Sequence, residues 1–404
     1  MSVEIRPVVS AELPALLVAD ERGFGAGPTR PAVAMSWAAD ELDRTRVAFE
    51  DGRIVGVSRV YSLELTMPGG GLVRSAGVAS CSVLPTHRRR GLLAAMLAAL
   101  HDDARDRSEP VAILTASETT IYGRFGYGTA AWRLACSIPR ADLVLRADAP
   151  DAGGRVRLLD ADEVGTVLPP LYDRIRRTAP GAVSRPGSWW AAGPTGFHDP
   201  PVGLTVAVHA DAEGRDDGYV AYSVAGQWDG GYSRRPLVVV DLQAESPAAR
   251  LGCWRYLAGV DAAGIVRVPV TPVDDPIRLA LVDPRCLRID GLLDALWCRP
   301  LDPPAAMAAR RYAVAGELVM SVTDPDGRRR ELLLSGGPDG AECRAVTAEP
   351  DLRVDAAGLG ACLLGGTRWS DLFAAGRVAG TPDAVRRADA MFTWSPAPAM
   401  LSSF

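Results

Sequence analysis

The sequence predicts an α/β (α+β) protein in which two similar strand-and-helix domains precede a smaller α+β domain. Its 404 residues exceed what one hydrophobic core usually supports. Strand and helix patterns alternate over 1–146, and residues 147–299 repeat the same order of patterns. Residues 300–404 change to hairpin strands with short helices. We therefore predict three domains, at 1–146, 147–299 and 300–404.

The elements of the first domain are predicted from apolar periodicity and turn signals. The Asp51-Gly52 pair lies between two short apolar runs and indicates a tight hairpin turn. A continuous apolar run at 111–115 is typical of a strand buried on both faces. The predicted elements are strands at 3–8, 47–49, 54–57, 60–67, 77–83 and 111–115, and helices at 11–20 and 91–107.

The second domain begins after an Asp- and Gly-rich stretch at 147–154. Its pattern echoes the first domain, which indicates an internal duplication. Its predicted elements are strands at 156–159, 219–224 and 238–242, and helices at 161–177 and 253–259. In the third domain, the turn 324–327 indicates a hairpin. Its predicted elements are strands at 317–322, 331–334, 341–347 and 352–355, and helices at 358–364 and 370–376.

Composition and charge exclude several classes of protein. A net charge of −5 and a pI near 5.6 argue against a nucleic-acid or anionic-membrane binder. No apolar run approaches the roughly 18 residues that span a bilayer, and residues 1–9 lack a signal-peptide pattern. We therefore expect a cytoplasmic protein without a membrane span. All 44 basic residues are arginine, which excludes a Schiff-base lysine.

The spacing of cysteine and histidine argues against a metal centre and against disulfides. The seven cysteines are scattered without a CxxC pair, and the four histidines form no ligand pattern. We expect no metal, and free thiols in a reducing compartment.

The first chemical motif is the basic stretch at 83–93, where a buried strand ends and a helix begins at Gly91. A helix start offers free backbone N–H groups and the positive end of the dipole. Arg88, Arg89 and Arg90 add positive charge, which is costly to hold together without an anion. The motif therefore predicts a pyrophosphate site, and the alternative is a solvated basic turn.

The second motif is the stretch 117–128, which directly follows the buried strand at 111–115. Ser117 or Thr119 can cap a short helix that places Tyr122 near the end of the neighbouring strand. A tyrosine is a competent proton donor to a leaving thiolate. The alternative is that Tyr122 and Tyr127 are ordinary core aromatics, and we favour it for Tyr127.

Together these motifs resemble a known enzyme family. Arg88-x-x-Gly91-x-Leu93 resembles the pyrophosphate loop of GNAT acetyltransferases, and Tyr122-x-x-x-Gly126-Tyr127 resembles their tyrosine segment. The full set, with the terminal Phe404, resembles the Eis (enhanced intracellular survival) acetyltransferases over essentially the whole chain. The resemblance implies a GNAT domain, a second GNAT-like domain and a sterol-carrier-protein-like module. It also implies acetyl-CoA as cosubstrate and a homohexamer.

The resemblance further implies roles for individual residues. Tyr122 would protonate the departing CoA thiolate, and the carboxylate of Phe404 would deprotonate the substrate ammonium. Cys81, Ser82 and Val83 would offer strand backbone to the pantetheine arm and the acetyl carbonyl. The pyrophosphate would be wrapped by the segment from Arg89 to Ala94 (Arg89, Arg90, Gly91, Leu92, Leu93, Ala94), Arg88 would support it, and Ser117 and Glu118 would line the far side.

The acceptor is expected to be a primary amine of an aminoglycoside-like compound, a polyamine or a peptide lysine. Phe24 and Trp37 are the expected walls of its site, because aromatic faces attract an ammonium. Ala26 and Ser403 stand where aminoglycoside-accepting members carry acidic residues, which argues against that substrate class.

Two further expectations concern residues that could be mistaken for catalytic ones. The loop 247–252 keeps a single arginine, so we expect the second domain to be a degenerate scaffold without a cofactor. A buried strand cysteine is usually inert packing, so we expect direct transfer rather than an acetyl-Cys81 intermediate. The rival from another class is a non-catalytic acyl-CoA or lipid-binding protein.

Overall fold

The computed structural model describes residues 3–25, 40–190, 194, 203–226, 228–229, 232–233, 235–402 and 404. The chain forms two compact units. The first consists of 1–130, 296–394 and 404, and the second consists of 131–295 and 395–403. None of the helices within the described ranges is long and apolar enough to cross a membrane.

The strands, in chain order, are β1 (Glu4–Arg6), β2 (Val47–Glu50), β3 (Arg53–Thr66), β4 (Leu72–Val83), β5 (Val111–Leu114), β6 (Gly128–Pro139), β7 (Arg155–Leu158), β8 (Leu204–Ala210), β9 (Asp216–Val224), β10 (Trp228–Asp229), β11 (Tyr232–Ser233), β12 (Pro236–Ala244), β13 (Ile265–Pro272), β14 (Arg288–Pro300), β15 (Gly316–Thr323), β16 (Arg329–Gly337), β17 (Gly340–Ala345), β18 (Leu352–Asp355) and β19 (Val378–Gly380).

The α-helices are α1 (Leu13–Gly23), α2 (Leu92–Asp106), α3 (Thr119–Tyr122), α4 (Ala161–Arg176), α5 (Gly187–Trp190), α6 (Pro247–Ala258), α7 (Ile277–Ala280), α8 (Pro303–Ala308), α9 (Ala356–Cys362), α10 (Trp369–Ala374) and α11 (Pro382–Phe392). Most predicted elements lie within a few residues of these bounds. Sequence patterns did not predict the strands β6, β8, β10, β11, β13, β14 and β19 or the helices α5, α7, α8 and α11.

The larger sheet of the first unit has the strand order β1-β2-β3-β4-β5-β14, in which the last strand contributes only its C-terminal part. All neighbours are antiparallel except β4 and β5, which are parallel. The predicted hairpin turn is confirmed, since Asp51 and Gly52 both have positive φ, at 50° and 72°. Strand β5 is buried at all four residues, as its apolar run predicts.

Strand β3 differs from the prediction of two separate strands at 54–57 and 60–67. It is one continuous strand of 14 residues that contains a bulge between Val57 and Arg59. Ser58 and Arg59 interrupt the apolar pattern, yet both side chains are buried. Ser58 is satisfied by donating a hydrogen bond to the carbonyl oxygen of Arg46 at 2.8 Å. The apolar pattern therefore indicates a strand end at these two polar residues, although the backbone continues as one strand.

The smaller sheet of the first unit has the order β17-β16-β15-β18-β19. The predicted hairpin is confirmed by the pairing of β15 with β16 across a turn in which Gly327 has a φ of 83°. Helix α9 approaches the start of β6 so closely that a Cβ on Gly128 would lie 1.8 Å from the carbonyl oxygen of Ala357. Only glycine fits at this position.

The sheet of the second unit has the order β7-β8-β9-β12-β13-β6. Its neighbours are antiparallel except the parallel pair β12 and β13. Each unit thus has four antiparallel strands, a parallel fifth strand and an antiparallel sixth. This matching order supports the internal duplication that the sequence predicts.

Candidate active site

The candidate site lies where the parallel strands β4 and β5 separate. Gly77 is the last residue of β4 that pairs with β5, although β4 continues to Val83. A bulge also interrupts the pairing of β4 with β3 near Ser80, which has a φ of 51°. The separation opens a cavity of about 590 Å³, within the size range of small-molecule sites. It is lined by Gly23, Phe24, Cys81, Ser82, Val83, His87, Arg88, Arg89, Gly91, Leu92, Leu93, Ala94, Ser117, Glu118, Ile121, Tyr122, Arg124 and Phe125.

One end of the cavity is built to receive an anion. Helix α2 begins at Leu92, and Gly91 precedes it with a φ of 78°, a conformation that glycine adopts without strain. Among the residues that the structure describes, no side chain caps this helix start, so its first backbone N–H groups have no cap partner beside the cavity that Gly91 and Leu92 line. Arg88 is fixed by donating hydrogen bonds to the carbonyl oxygens of Gly23 at 2.9 Å and Val83 at 3.3 Å. Arg89 has no described partner among the residues that the structure covers, so its guanidinium is available.

Arg90 corrects the expectation of three uncompensated arginine charges. Its side chain does not line the cavity but forms an ion pair with Glu50, with a shortest distance of 2.5 Å. His87 Nε2 lies 2.9 Å from the same carboxylate. The hydrogen bond from Arg90 lowers the pKa of Glu50 to about 2. The Arg90 guanidinium is therefore already paired with a carboxylate and is not held free for an anion in the cavity.

The opposite wall carries Tyr122 at the end of the short helix α3. The residue before α3 is Glu118, and neither Ser117 nor Thr119 caps the helix, contrary to the prediction. Tyr122 is buried beside Cys81, whose thiol donates a weak hydrogen bond to the carbonyl oxygen of Ala79 at 3.8 Å. Its ring also meets Tyr127 edge-on, with 6.0 Å between ring centres.

The protonation states of the Tyr122 and Cys81 side chains follow from their surroundings. Burial, with the nearby Cys81 and Tyr127 side chains, raises the pKa of Tyr122 well above its ordinary range. Burial and the Asp20 carboxylate raise the pKa of the Cys81 thiol to about 12, although the neighbouring Tyr122 hydroxyl opposes this rise. Both groups therefore keep their protons near neutral pH.

Tyr127 lies in the core behind this wall. It is fully buried, and its hydroxyl lies 2.8 Å from His101 Nε2, whose other ring nitrogen accepts a hydrogen bond from Arg299 at 2.8 Å. Tyr127 is absent from the cavity lining. The interpretation of Tyr127 as a core aromatic agrees with this position.

Phe404 lies at the point where β4 and β5 separate. Thr115, directly after β5, donates a hydrogen bond from its hydroxyl to the backbone oxygen of Phe404 at 3.1 Å. The buried ring of Phe404 packs near Gly77, where an added Cβ would lie 3.3 Å from the ring. Residue patterns do not predict this position, because Thr115 and Phe404 are 289 residues apart, and only the family resemblance led us to expect Phe404 at the site.

The end of α1 forms a third wall and includes a residue that sequence reasoning missed. Phe24 lines the cavity and is 52% exposed. Asp20 is buried and accepts a hydrogen bond from the hydroxyl of Ser82 at 3.1 Å. Its signal in the sequence is its helical spacing from the buried Leu13, Leu16 and Leu17. The predicted residues Trp37, Ala26 and Ser403 lie outside the described residues.

The corresponding place in the second unit is arranged differently. Arg250 on α6 is buried, and its guanidinium bonds Asp275 at 2.6 Å, Thr271 at 2.7 Å and the carbonyl oxygen of Leu242 at 3.1 Å. Its charge is therefore already compensated within the unit. A cavity of about 380 Å³ beside it is partly lined by residues of 395–401. Within the described ranges, no group of three or more His, Cys, Asp or Glu could hold a metal ion.

The separated parallel strands, with an uncapped helix start and a free arginine beside them, define the class of protein as a GNAT-type acetyltransferase. The family model described as "Acetyltransferase (GNAT) domain" matches residues 4–130, and a second model of that description matches 181–299. A "Sterol carrier protein domain" model matches 303–401. These matches confirm the predicted fold class of two GNAT domains followed by a sterol-carrier-protein-like domain.

Curated relatives and solved structures identify the family more closely. An uncharacterized N-acetyltransferase of Streptomyces griseus is 36% identical over 378 residues, covering 90% of both chains. N-acetyltransferase Eis of Mycobacterium tuberculosis is 34% identical over 380 residues, also covering 90% of both. The crystal structure of Eis1 from Mycobacterium abscessus matches with a TM-score of 0.86 and 34% identity, covering 100% of both chains. The chain belongs to the Eis family of GNAT N-acetyltransferases. It is an acetyltransferase, and its GNAT domains imply acetyl-CoA as the acetyl donor.

Proposed function

We propose that the protein transfers an acetyl group from acetyl-CoA directly to a primary amine of a polyamine, a peptide lysine or an aminoglycoside-like compound. The observation that carries this proposal is that three residues lie close to the point where β4 and β5 separate. These are the protonated Tyr122, the protonated Cys81 and the chain-end residue Phe404. Tyr122 provides a proton donor and Phe404 provides a carboxylate, whereas the protonated Cys81 is a poor nucleophile.

The cavity fits the donor in size and in charge. The backbone of Cys81, Ser82 and Val83 is free of β5 and would accept the pantetheine arm. The α2 start and Arg89 would hold the pyrophosphate by backbone N–H groups and charge-assisted hydrogen bonds. The remaining donor-binding residues in this proposal line the same cavity, namely Arg88, Gly91, Leu92, Leu93, Ala94, Ser117 and Glu118.

In the proposed reaction, the Phe404 carboxylate takes a proton from the substrate ammonium, and the free amine then attacks the thioester carbonyl. The Val83 N–H polarises that carbonyl by hydrogen bonding to its oxygen. When the carbon–sulfur bond breaks, Tyr122 donates its proton to the thiolate, and the acetylated nitrogen loses its second proton to the Tyr122 phenolate or to water. The raised pKa of Tyr122 keeps the proton on the phenol until a thiolate forms. Because the phenol is a weaker acid than the CoA thiol, the phenolate left by the transfer must recover a proton at once.

The class of acceptor follows from the walls around Phe24. The aromatic face of Phe24 favours a cationic amine. By the family resemblance, Ala26 and Ser403 stand where aminoglycoside-accepting members carry acidic residues, and both are neutral. We therefore favour polyamines and peptide lysines as acceptors.

The experiment that tests the function is thiol release from acetyl-CoA over a panel of polyamines, lysine peptides and aminoglycosides. The wild type is compared with a variant that carries a few residues appended after Phe404. Amine-dependent release that collapses on extension supports both the transfer and the terminal base. Release that survives extension removes Phe404 from the mechanism. Acetyl-CoA binding without release for any amine would favour the non-catalytic acyl-CoA or lipid-binding alternative.

The cellular setting and the assembly are also proposals. The acidic charge and the seven free cysteines favour a reducing cytoplasm. The family resemblance favours a hexamer, and light scattering of the purified protein measures its mass directly.

A further inference from the structure

A chain of three polar side chains runs through the first unit behind Tyr122. The Arg299 guanidinium donates a hydrogen bond to Nδ1 of His101 at 2.8 Å, and Nε2 of His101 lies 2.8 Å from the hydroxyl oxygen of Tyr127. All three residues belong to the same compact unit, and both His101 and Tyr127 are buried. Burying these polar groups costs free energy that apolar side chains of similar size would not, which indicates a role beyond packing.

The donor and acceptor roles along this chain follow from the arginine. A guanidinium has only N–H donors, so the Nδ1 atom that it bonds must accept and carries no proton. Burial, with the charges of Arg299 and Arg105, lowers the pKa of His101 well below its ordinary range, so the imidazole is neutral. Its single proton is therefore on Nε2, which donates to the Tyr127 oxygen. Arg299 thus fixes the tautomer of His101, and His101 fixes the Tyr127 hydroxyl.

Tyr127 in turn contacts Tyr122 in two ways. The two rings meet edge-on, with 6.0 Å between ring centres and an angle of 74° between their planes. The backbone N–H of Tyr127 also donates a hydrogen bond to the carbonyl oxygen of Tyr122 at 3.3 Å. Because protein cores are close-packed, an anchor on the Tyr127 hydroxyl also restricts the Tyr122 ring that packs against it.

Tyr122 needs such support because its own helix is short. Within the described ranges, α3 has four residues and no side-chain cap, and helices of this length are unstable unless tertiary contacts hold them. A catalytic group misplaced by about 1 Å can lose about a hundredfold in rate. We propose that His101 is a positioning residue, which anchors Tyr127 and thereby holds the Tyr122 hydroxyl where it can protonate the departing CoA thiolate. This inference rests on the proposed role of Tyr122 as the acid.

The test uses the full chain and compares His101→Leu with the matched variant His101→Gln. Glutamine offers a carbonyl acceptor and an N–H donor about as far apart as the two ring nitrogens, so it can accept from Arg299 and donate to Tyr127. Leucine has neither group. We expect His101→Leu to lower kcat about tenfold with the KM for acetyl-CoA within about twofold of wild type, and His101→Gln to retain kcat within about threefold. Equal losses in the two variants would overturn the inference, as would full kcat in His101→Leu or a parallel rise in KM.

Tyr127→Phe asks the same question if His101→Leu does not fold. It keeps the ring and the backbone N–H but removes the anchored hydroxyl, so kcat should fall about fivefold with KM unchanged. Full kcat in Tyr127→Phe would contradict the anchor.

A double variant separates positioning of Tyr122 from general stability. If His101 acts only through Tyr122, adding His101→Leu to Tyr122→Phe lowers kcat no further. Losses that multiply in the double variant would overturn the inference. If Tyr122→Phe alone leaves kcat intact, the acid assignment itself fails. That result is distinct from failure of the anchor in a protein that does need Tyr122.

Discussion

Replacing Cys81 with alanine is expected to leave most of the acetyl transfer, whereas replacing Tyr122 with phenylalanine removes most of it. A thiol whose pKa is raised from 9.0 to about 12 is deprotonated about 1,000 times less often at neutral pH. Cys81 is therefore a poor nucleophile for an acetyl-enzyme. Tyr122→Phe removes the proton donor to the departing thiolate, a contribution of about 100-fold to 10,000-fold in kcat.

The assay is rapid mixing with acetyl-CoA, followed by a chromogenic disulfide that reports free thiol. Without amine, we expect no burst of thiol equal to the enzyme concentration. Cys81→Ser serves as the control, because it keeps a small polar side chain beside Tyr122. A stoichiometric burst that disappears in Cys81→Ala would refute the reasoning. So would a loss of kcat in Cys81→Ala as large as that in Tyr122→Phe.

Three more predictions follow from individual contacts. Arg89→Ala should weaken acetyl-CoA binding about tenfold by calorimetry, while Arg90→Ala changes it about twofold or less, because the Arg90 side chain is paired with Glu50. The pKa of Glu50 is lowered in the folded state to about 2 from an ordinary value of 4.5, so its stabilising contribution is complete above about pH 4.5 and lost towards pH 2. Glu50→Gln should therefore reduce the fall in melting temperature between pH 6 and pH 3, and an unchanged fall would contradict the pairing. Gly128→Ala should lower the free energy of unfolding by about 3 kcal/mol in urea titrations, because its Cβ would overlap the Ala357 oxygen, while Gly123→Ala, with open space around it, should change it by less than about 0.5 kcal/mol.

The sequence was most informative where structure depends on neighbouring residues. The Asp51-Gly52 turn has the positive φ angles that its residue types favour, and the apolar run of β5 is buried throughout. The stretch 83–93 likewise forms a strand end, a loop and a helix start. These features depend on side-chain type, backbone preference and a period of two or 3.6 residues, all of which a single sequence displays.

The predictions failed where a polar residue finds a distant partner. Ser58 and Arg59 interrupt the apolar pattern of β3 but are buried within one strand. Arg90 has the same local sequence context as Arg89, yet its side chain pairs with Glu50, 40 residues earlier. Nothing in the local pattern distinguishes the two arginines, because the difference is the position of a carboxylate on another strand.

The sequence by itself determined the class of fold, the order of its elements and the two motifs of the donor site. Each of these depends on residues that lie close together along the chain. Only the tertiary structure decided that β6 pairs with β13 and β14 with β5, that Asp20 lies beside Ser82 and that Phe404 lies beside Thr115. The physical reason is that such contacts join residues tens to hundreds of positions apart. They form only where the summed burial and hydrogen bonding of the whole fold outweigh the entropy of closing long loops.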